Sequence, residues 1–191
     1  MGTVSLWMQM SLDGFMQGPN GELDWPVVEE EVHQYFNAEL GAVDTFLYGR
    51  KVYEGMAAFW PIAHTIPSST PRHLEYAEIW KPMPKIVFSR TLGDVEWNTR
   101  VVGEDVAGEV AKLNAQPDTH HVLFGGADIA STFVTLDLVD EFRLFVHPVA
   151  LGGGTPLFPA LQETLNLTPV QARTFDSAVV HLRYRRAGER G

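Results

Sequence analysis

His121-Val122-Leu123-Phe124-Gly125-Gly126-Ala127-Asp128 is the stretch whose reading decides the fold. His121 to Phe124 is a short apolar run of strand type, two glycines break it, and Asp128 to Leu136 continues as a helix. Glycines at such a junction let the backbone approach a phosphate closely. The helix start adds free N–H groups and the favourable end of its dipole. A tight strand-to-helix turn needs glycine on its own account, and the spacing is not the G-x-G-x-x-G dinucleotide fingerprint. Chain reversal and phosphate binding both remain open at this point.

Working outward, the same strand–turn–helix grammar recurs. Thr3 to Gln9 is a strand of β-branched and aromatic residues ending near the turn-like Asp13-Gly14. Val28, Val32, Tyr35, Phe36 and Leu40 repeat at helical spacing, with Glu29, Glu30 and Glu31 in the first turn, where acids suit the dipole. Thr45 to Tyr48 is a buried strand stopped by Gly49. Five of the 12 prolines fall in residues 61–84, which reads as a surface excursion holding at most a helix from Arg72 to Trp80. Lys85 to Ser89 is a further buried strand, and Val106, Val110 and Leu113 mark a helix starting near Glu104-Asp105. Glu141 to Leu151 reads as a long strand broken near Pro148, and Val179 to Arg185 alternates cleanly. Helices alternating with strands predict an α/β fold: one domain over residues 1–191, with a mixed, mostly parallel sheet flanked by helices and ending in antiparallel strands.

Two more strand ends suit anions. Gly49 is followed by Arg50 and Lys51, and cations sit badly at the positive end of a helix dipole unless an anion offsets them. Val87-Phe88 delivers the Ser89 hydroxyl and the Arg90 guanidinium to the end of its strand, and ligands of open α/β sheets bind outside the carboxyl ends of strands. Three such ends describe a site for a ligand with several phosphates. No H-E-x-x-H pattern, G-x-S-x-G turn or G-x-x-x-x-G-K-[ST] loop is present, so metal, serine-hydrolase and P-loop readings lack support, and no metal site is expected.

Composition narrows the partners. The chain has 191 residues, a net charge of -10 and no Cys, and its first 49 residues hold eight acids and no Lys or Arg. An acidic surface repels nucleic acid, and zero Cys removes disulfides and thiolate metal sites. No apolar run reaches the roughly 20 residues needed to cross a bilayer, and the start lacks the charged region of a secretory signal. The expectation is a cytoplasmic protein acting on a small molecule, without nucleic-acid or membrane partners. Apolar residues on both faces of 139–151 (Phe142, Leu144 and Val146 against Phe145 and Val149) predict a homodimer.

Taken in order, these motifs resemble a known family. Ser11-Leu12-Asp13-Gly14, Gly49 to Tyr53, Lys85 to Leu92, Gly125-Gly126-Ala127, Leu138 to Glu141 and Pro148 to Phe158 resemble the dihydrofolate-reductase-like superfamily. Within it, they are most similar to the reductase domain of the bifunctional riboflavin-biosynthesis deaminase-reductase. The resemblance implies NADPH as cofactor, with Gly49, Arg50 and Lys51 holding phosphates and Ser89 and Arg90 beside the 2'-phosphate. Gly125, Gly126, Ala127 and Asp128 would hold the pyrophosphate. It also implies reduction of a small heterocycle such as 5-amino-6-(5-phosphoribosylamino)uracil, in a dimeric enzyme. Asp13 would face the nicotinamide, and Asp13 or an acid of the first helix, Glu30 foremost, would act as a buried acid of raised pKa. Pterin reduction, as in dihydrofolate reductases, is the first alternative. A nucleotide-binding protein of the same fold without turnover is the second.

Overall fold

The structure, a computed structural model, describes residues 1–158, 161 and 163–188. Strand β1 (Thr3–Ser11) lies at the heart of an eight-stranded sheet. By the two-residue period of a strand it turns Val4, Leu6, Met8 and Met10 to one face and Ser5, Trp7 and Gln9 to the other. After a short strand β2 (Phe15–Gln17) come helix α1 (Glu30–Glu39), strand β3 (Thr45–Gly49), and helices α2 (Arg50–Phe59) and α3 (Pro71–Trp80). Then follow β4 (Lys85–Phe88), β5 (Thr99–Val102), α4 (Val106–Asn114), β6 (His120–Leu123), α5 (Ala127–Thr135) and β7 (Glu141–His147). The chain closes with β8 (Thr155–Pro156), β9 (Leu167–Thr174) and β10 (Val180–Arg186). The large sheet runs β5-β4-β3-β6-β1-β7-β10-β9, with β2 and β8 paired separately. In the large sheet, among the described residues, β10 alone points opposite to the other strands, so its pairings with β7 and β9 are antiparallel and the rest are parallel.

Strand alternation divides the core between the two sheet faces. Leu6, Leu47, Ile86, Phe88 and Leu123 pack with Val110 and Leu113 of α4 and with Ile129 and Phe133 of α5. Trp7, Phe46, Tyr48, Val87 and Val122 pack with Tyr53 of α2 and with Tyr76 and Trp80 of α3. A buried strand that starts on a lysine needs explanation. The Lys85 ammonium donates to the carbonyls of Met83 (2.7 Å) and Trp97 (2.8 Å) and lies 4.1 Å from the Trp80 ring centroid. Burial pulls its pKa down to about 8.

Several expectations change. Residues 61–84 are not merely a surface excursion, because α3 buries Tyr76, Ala77 and Trp80, and the Trp80 indole donates to the Tyr48 hydroxyl at 3.2 Å. Strands β5 and β9 have no clear periodic signal in the sequence. β5 is a half-exposed edge of four residues, and β9 contains Pro169, which is tolerated because the strand is an edge with a bulge opposite Arg183 and Tyr184. Strand β7 ends before Pro148, and both of its faces are covered by its own chain. Phe142 and Leu144 lie in the core shared with α4 and α5, while Phe145 packs with Val32, Phe175 and Val179. Phe142, Leu144 and Phe145 of the apolar surplus that predicts a homodimer are thus used internally, while Val146 and Val149 stay half-buried.

One buried group is energetically conspicuous. His181 on β10 is 0% exposed, stacks on Phe145 at 4.6 Å, and neither ring nitrogen has a hydrogen-bond partner among the described residues. Burial lowers its pKa to about 4, so the folded state holds the ring neutral while the unfolded chain protonates near 6.5. Between those values the unfolded state binds more protons, so stability falls as pH drops from about 6.5 towards 4. His181→Leu is expected to raise stability at neutral pH by about 1–3 kcal/mol, the cost of an unsatisfied polar group. It should also make the acid-side fall in melting temperature shallower. Melts across that pH range check this, and an unchanged melting temperature with an unchanged slope would refute it.

Candidate functional site

The site is set by where the chain changes direction across the sheet. After β3 it moves towards β4 and β5, and after β6 it moves the opposite way, past β1 to β7. Such a reversal opens a crevice at the carboxyl ends of the two strands. Here those ends are locked together: Gly49 N donates to Gly125 O at 2.7 Å, and Phe124 N to Leu47 O at 3.0 Å. Two helices therefore start side by side. Gly49 precedes α2, Gly126 precedes α5, and neither start carries a side-chain cap. By contrast, α3 and α4 are capped by Thr70 and Asp105. The first-turn N–H groups of α2 and α5 are left for an external acceptor.

Space favours glycine at position 49, and backbone conformation favours it at position 125. A Cβ on Gly49 would lie 3.0 Å from Ile129 Cγ2 and 3.3 Å from Gly126 N. Gly125 has φ +88°, and a Cβ there would meet Met8 Cε at 2.9 Å. The peptide between Gly125 and Gly126 is cis. Ala127 and Asp128 open α5, and the Asp128 carboxylate is exposed, so Asp128 offers this crevice a backbone N–H rather than a charge suited to an anion.

The third strand end lies next to these two. Ser89 follows β4, and its Oγ accepts from Thr91 N at 3.2 Å and Leu92 N at 3.0 Å, which leaves the hydroxyl hydrogen to donate outward. Arg90 is exposed and makes no ion pair among the described residues. Arg50 reaches Glu54 at 3.7 Å with both side chains nearly half exposed, a weak pairing, and Lys51 is exposed. The structure brings Gly49, Arg50, Gly125, Gly126, Ala127 and Asp128 to one crevice, with Ser89 and Arg90 one strand further out.

Asp13 and Glu30 are not brought together, and neither is a buried acid. Asp13 is exposed. Its Oδ1 accepts from Ser11 Oγ (2.7 Å) and Leu151 N (3.0 Å), and its Oδ2 from Gly152 N (2.7 Å). The Ser11 hydroxyl and the two amides stabilise the carboxylate and hold its pKa down at about 2. A group ionised so firmly does not supply protons near neutrality; it ties the glycine loop 151–154 to the end of β1. Glu30 opens α1 on the surface, 3.4 Å from the Arg72 guanidinium of α3, with its side chain 61% exposed. Glu31 turns to Arg173 (2.8 Å) and to Asp176 N (2.9 Å). Asp13→Asn is expected to loosen the 151–154 loop, because an amide cannot accept all three bonds, and to lower the melting temperature while leaving NADPH affinity within about twofold. A variant with wild-type melting but a lost reduction rate would restore the proton-relay role.

Sequence reasoning missed Gln9 and His147, whose side chains meet at 2.6 Å beside this crevice. Both sit in strands whose alternation reads as core, and only their polarity near the carboxyl ends could have marked them. Elsewhere, a groove of about 490 Å³ lined by Lys85, Trp97, Arg100 and Gln116 lies at the opposite ends of the strands, remote from the glycine junctions. Among the described residues no three His, Asp or Glu side chains gather in a metal-holding group, and no helix is long and apolar enough to cross a membrane.

This sheet order, its single antiparallel strand and the reversal between β3 and β6 define the dihydrofolate-reductase-like fold. A dihydrofolate reductase from Enterococcus faecalis, solved with NADP(H), superimposes with a TM-score of 0.64 at 16% identity, covering 97% of each chain. The chain belongs to the RibD C-terminal domain family, whose model matches residues 2–181. The uncharacterised Bacillus subtilis protein YyaP is 39% identical over 184 residues, 95% of this chain and 93% of the relative. A Shewanella sp. PV-4 protein provisionally assigned to riboflavin biosynthesis has a TM-score of 0.74 at 25% identity, covering 97% of this chain and 99% of its own.

Proposed function

We propose that the protein is an NADPH-dependent reductase of a small heterocyclic substrate, most like the 5-amino-6-(5-phosphoribosylamino)uracil reductase of riboflavin biosynthesis. The observation that carries this reading is the pair of uncapped, glycine-started helices hydrogen-bonded at the sheet reversal, with no Cβ between them. Membership of a family of reductase domains and the NADP(H)-bound structural neighbour support it.

In this reading the N–H groups at the starts of α2 and α5 hold the cofactor's phosphates, Arg50 and Lys51 balance their charge, and Ser89 with Arg90 takes the 2'-phosphate. The cofactor, when bound, supplies the hydride. The chain's own task is to hold both partners, orient them and exclude water. Asp13 contributes by fixing the 151–154 loop at the mouth of the crevice. The pterin alternative loses ground because Glu29, Glu30 and Glu31 are all outside the core.

Titration of the full chain with NADPH and NADH, read by nicotinamide fluorescence, tests the assignment. Tighter binding of NADPH is expected, followed by its oxidation when 5-amino-6-(ribosylamino)uracils, whose ribosylamino carbon can accept the hydride, are added. Binding of neither cofactor would end the proposal. Tight binding with no oxidation across ribosylaminouracils and dihydropterins would favour the non-catalytic alternative.

A further inference from the structure

At the carboxyl ends of β1 and β7, His147 is 1% exposed and both of its ring nitrogens are engaged. Nδ1 accepts from the backbone N–H of Val27 at 3.2 Å, Nε2 lies 2.6 Å from Gln9 Oε1, and the Trp25 ring stands edge-on at 5.5 Å. A neutral imidazole has one donor and one acceptor nitrogen. Since a backbone N–H can only donate, Nδ1 is the acceptor and Nε2 carries the proton. Burial lowers the His147 pKa and so keeps the ring in this neutral form. Gln9 must then meet Nε2–H with its amide oxygen. Its NH2 group is turned away, has no partner among the described residues and is not sealed from solvent.

The position of that NH2 follows from strand register. Leu6 pairs with Leu123, so continuing along β1 puts Met8 beside Gly125, in agreement with the 2.9 Å approach of Met8 Cε to the space of a Gly125 Cβ. Gln9 is the next residue, beside Gly126, and on the opposite face from Met8. That face carries Trp7, Phe36 and Phe124, whose ring centroids lie 5.0–5.8 Å apart. An amide donor next to the glycine pair and against an aromatic wall suits a flat ring bearing a carbonyl acceptor.

We propose that Gln9 recognises the substrate by donating from its NH2 to a ring carbonyl, and that His147 is a positioning residue fixing which end of the amide faces the crevice. This deepens the reductase reading and rests on it for the location of the substrate. It favours heterocycles that present a carbonyl, rather than an amino group, at the ring position facing Gln9.

The test uses the full chain saturated with NADP+ and two matched probes, 6-aminouracil and 2,4,6-triaminopyrimidine, at mildly alkaline pH with binding followed by NMR. The wild type is expected to prefer 6-aminouracil. Gln9→Leu should weaken that probe by roughly three- to tenfold, the worth of one neutral hydrogen bond, and leave the triamine unchanged. Gln9→Glu, which presents only acceptors, should invert the preference. His147→Leu should erase the preference in the wild-type background and do nothing further in Gln9→Leu, a pattern that a general loss of structure would not produce. No wild-type preference, equal loss of both probes in Gln9→Leu, or additive effects of the two substitutions would overturn the proposal. Failure of NADP+ to bind the wild type would instead sink the reductase reading, and the probe preference is then read on the cofactor-free protein.

Discussion

Arg90→Ala is expected to weaken NADPH binding by roughly ten- to a hundredfold and to leave NADH binding nearly unchanged. The 2'-phosphate is a dianion approaching a protein of net charge -10, so a local cation must hold it. Arg90 stands just past the end of β4, exposed and without an ion pair among the described residues, so its guanidinium is not already committed to a surface acid. A guanidinium can make paired, charge-assisted hydrogen bonds to phosphate oxygens, and bonds to charged groups are worth about 1.5–3 kcal/mol. Ser89 can add one more through the hydroxyl hydrogen that its two internal bonds leave free. NADH has no phosphate there and loses nothing. Fluorescence titration of both cofactors against wild type and Arg90→Ala decides the matter. Equal losses for both, or none for either, would remove Arg90 from the site.

Gly154→Ala should destabilise the fold by about 3–5 kcal/mol, combining backbone strain with a clash that only a shift of main chain could relieve. Gly154 has φ +133°, and a Cβ there would fall 2.0 Å from the Gln17 carbonyl oxygen and 3.0 Å from Gly18 C. These are backbone atoms of the β2–β8 pairing, in which Gln17 lies opposite Thr155, so no side chain can swing aside. For a protein of this size the corresponding fall in melting temperature is roughly 6–20 °C. Gly152→Ala is the control. It has φ +73° with nothing within 4 Å of the added Cβ, so only the conformational cost of about 1 kcal/mol applies. Similar melting temperatures for the two variants would refute the steric argument. Asp13 ties the other end of this loop, through Leu151 and Gly152, to the end of β1.

The amino-acid sequence by itself determined the elements that obey a local period and the junctions that need glycine. β1, β3, β4 and β6 are short apolar runs, α4 and α5 have helical spacing, and Gly49 and Gly125-Gly126 sit where strands stop. Each of these follows from residues within a few positions of one another. Tertiary structure decided whatever depends on a partner distant in the chain. β9 forms around Pro169 because β10 lies beside it to accept an edge strand. Trp80 became core because Tyr48 faces it. Asp13 and Glu30 look alike in sequence, as acids near a turn or a helix start. Three donors 2 and about 138 positions away make one a firmly ionised tie, and Arg72 draws the other to the surface. Gln9 acquires a fixed donor only because His147, 138 residues on, has its tautomer set by Val27. Hydrogen-bond direction belongs to pairs of atoms in space, and no periodicity along the chain encodes which pairs will meet.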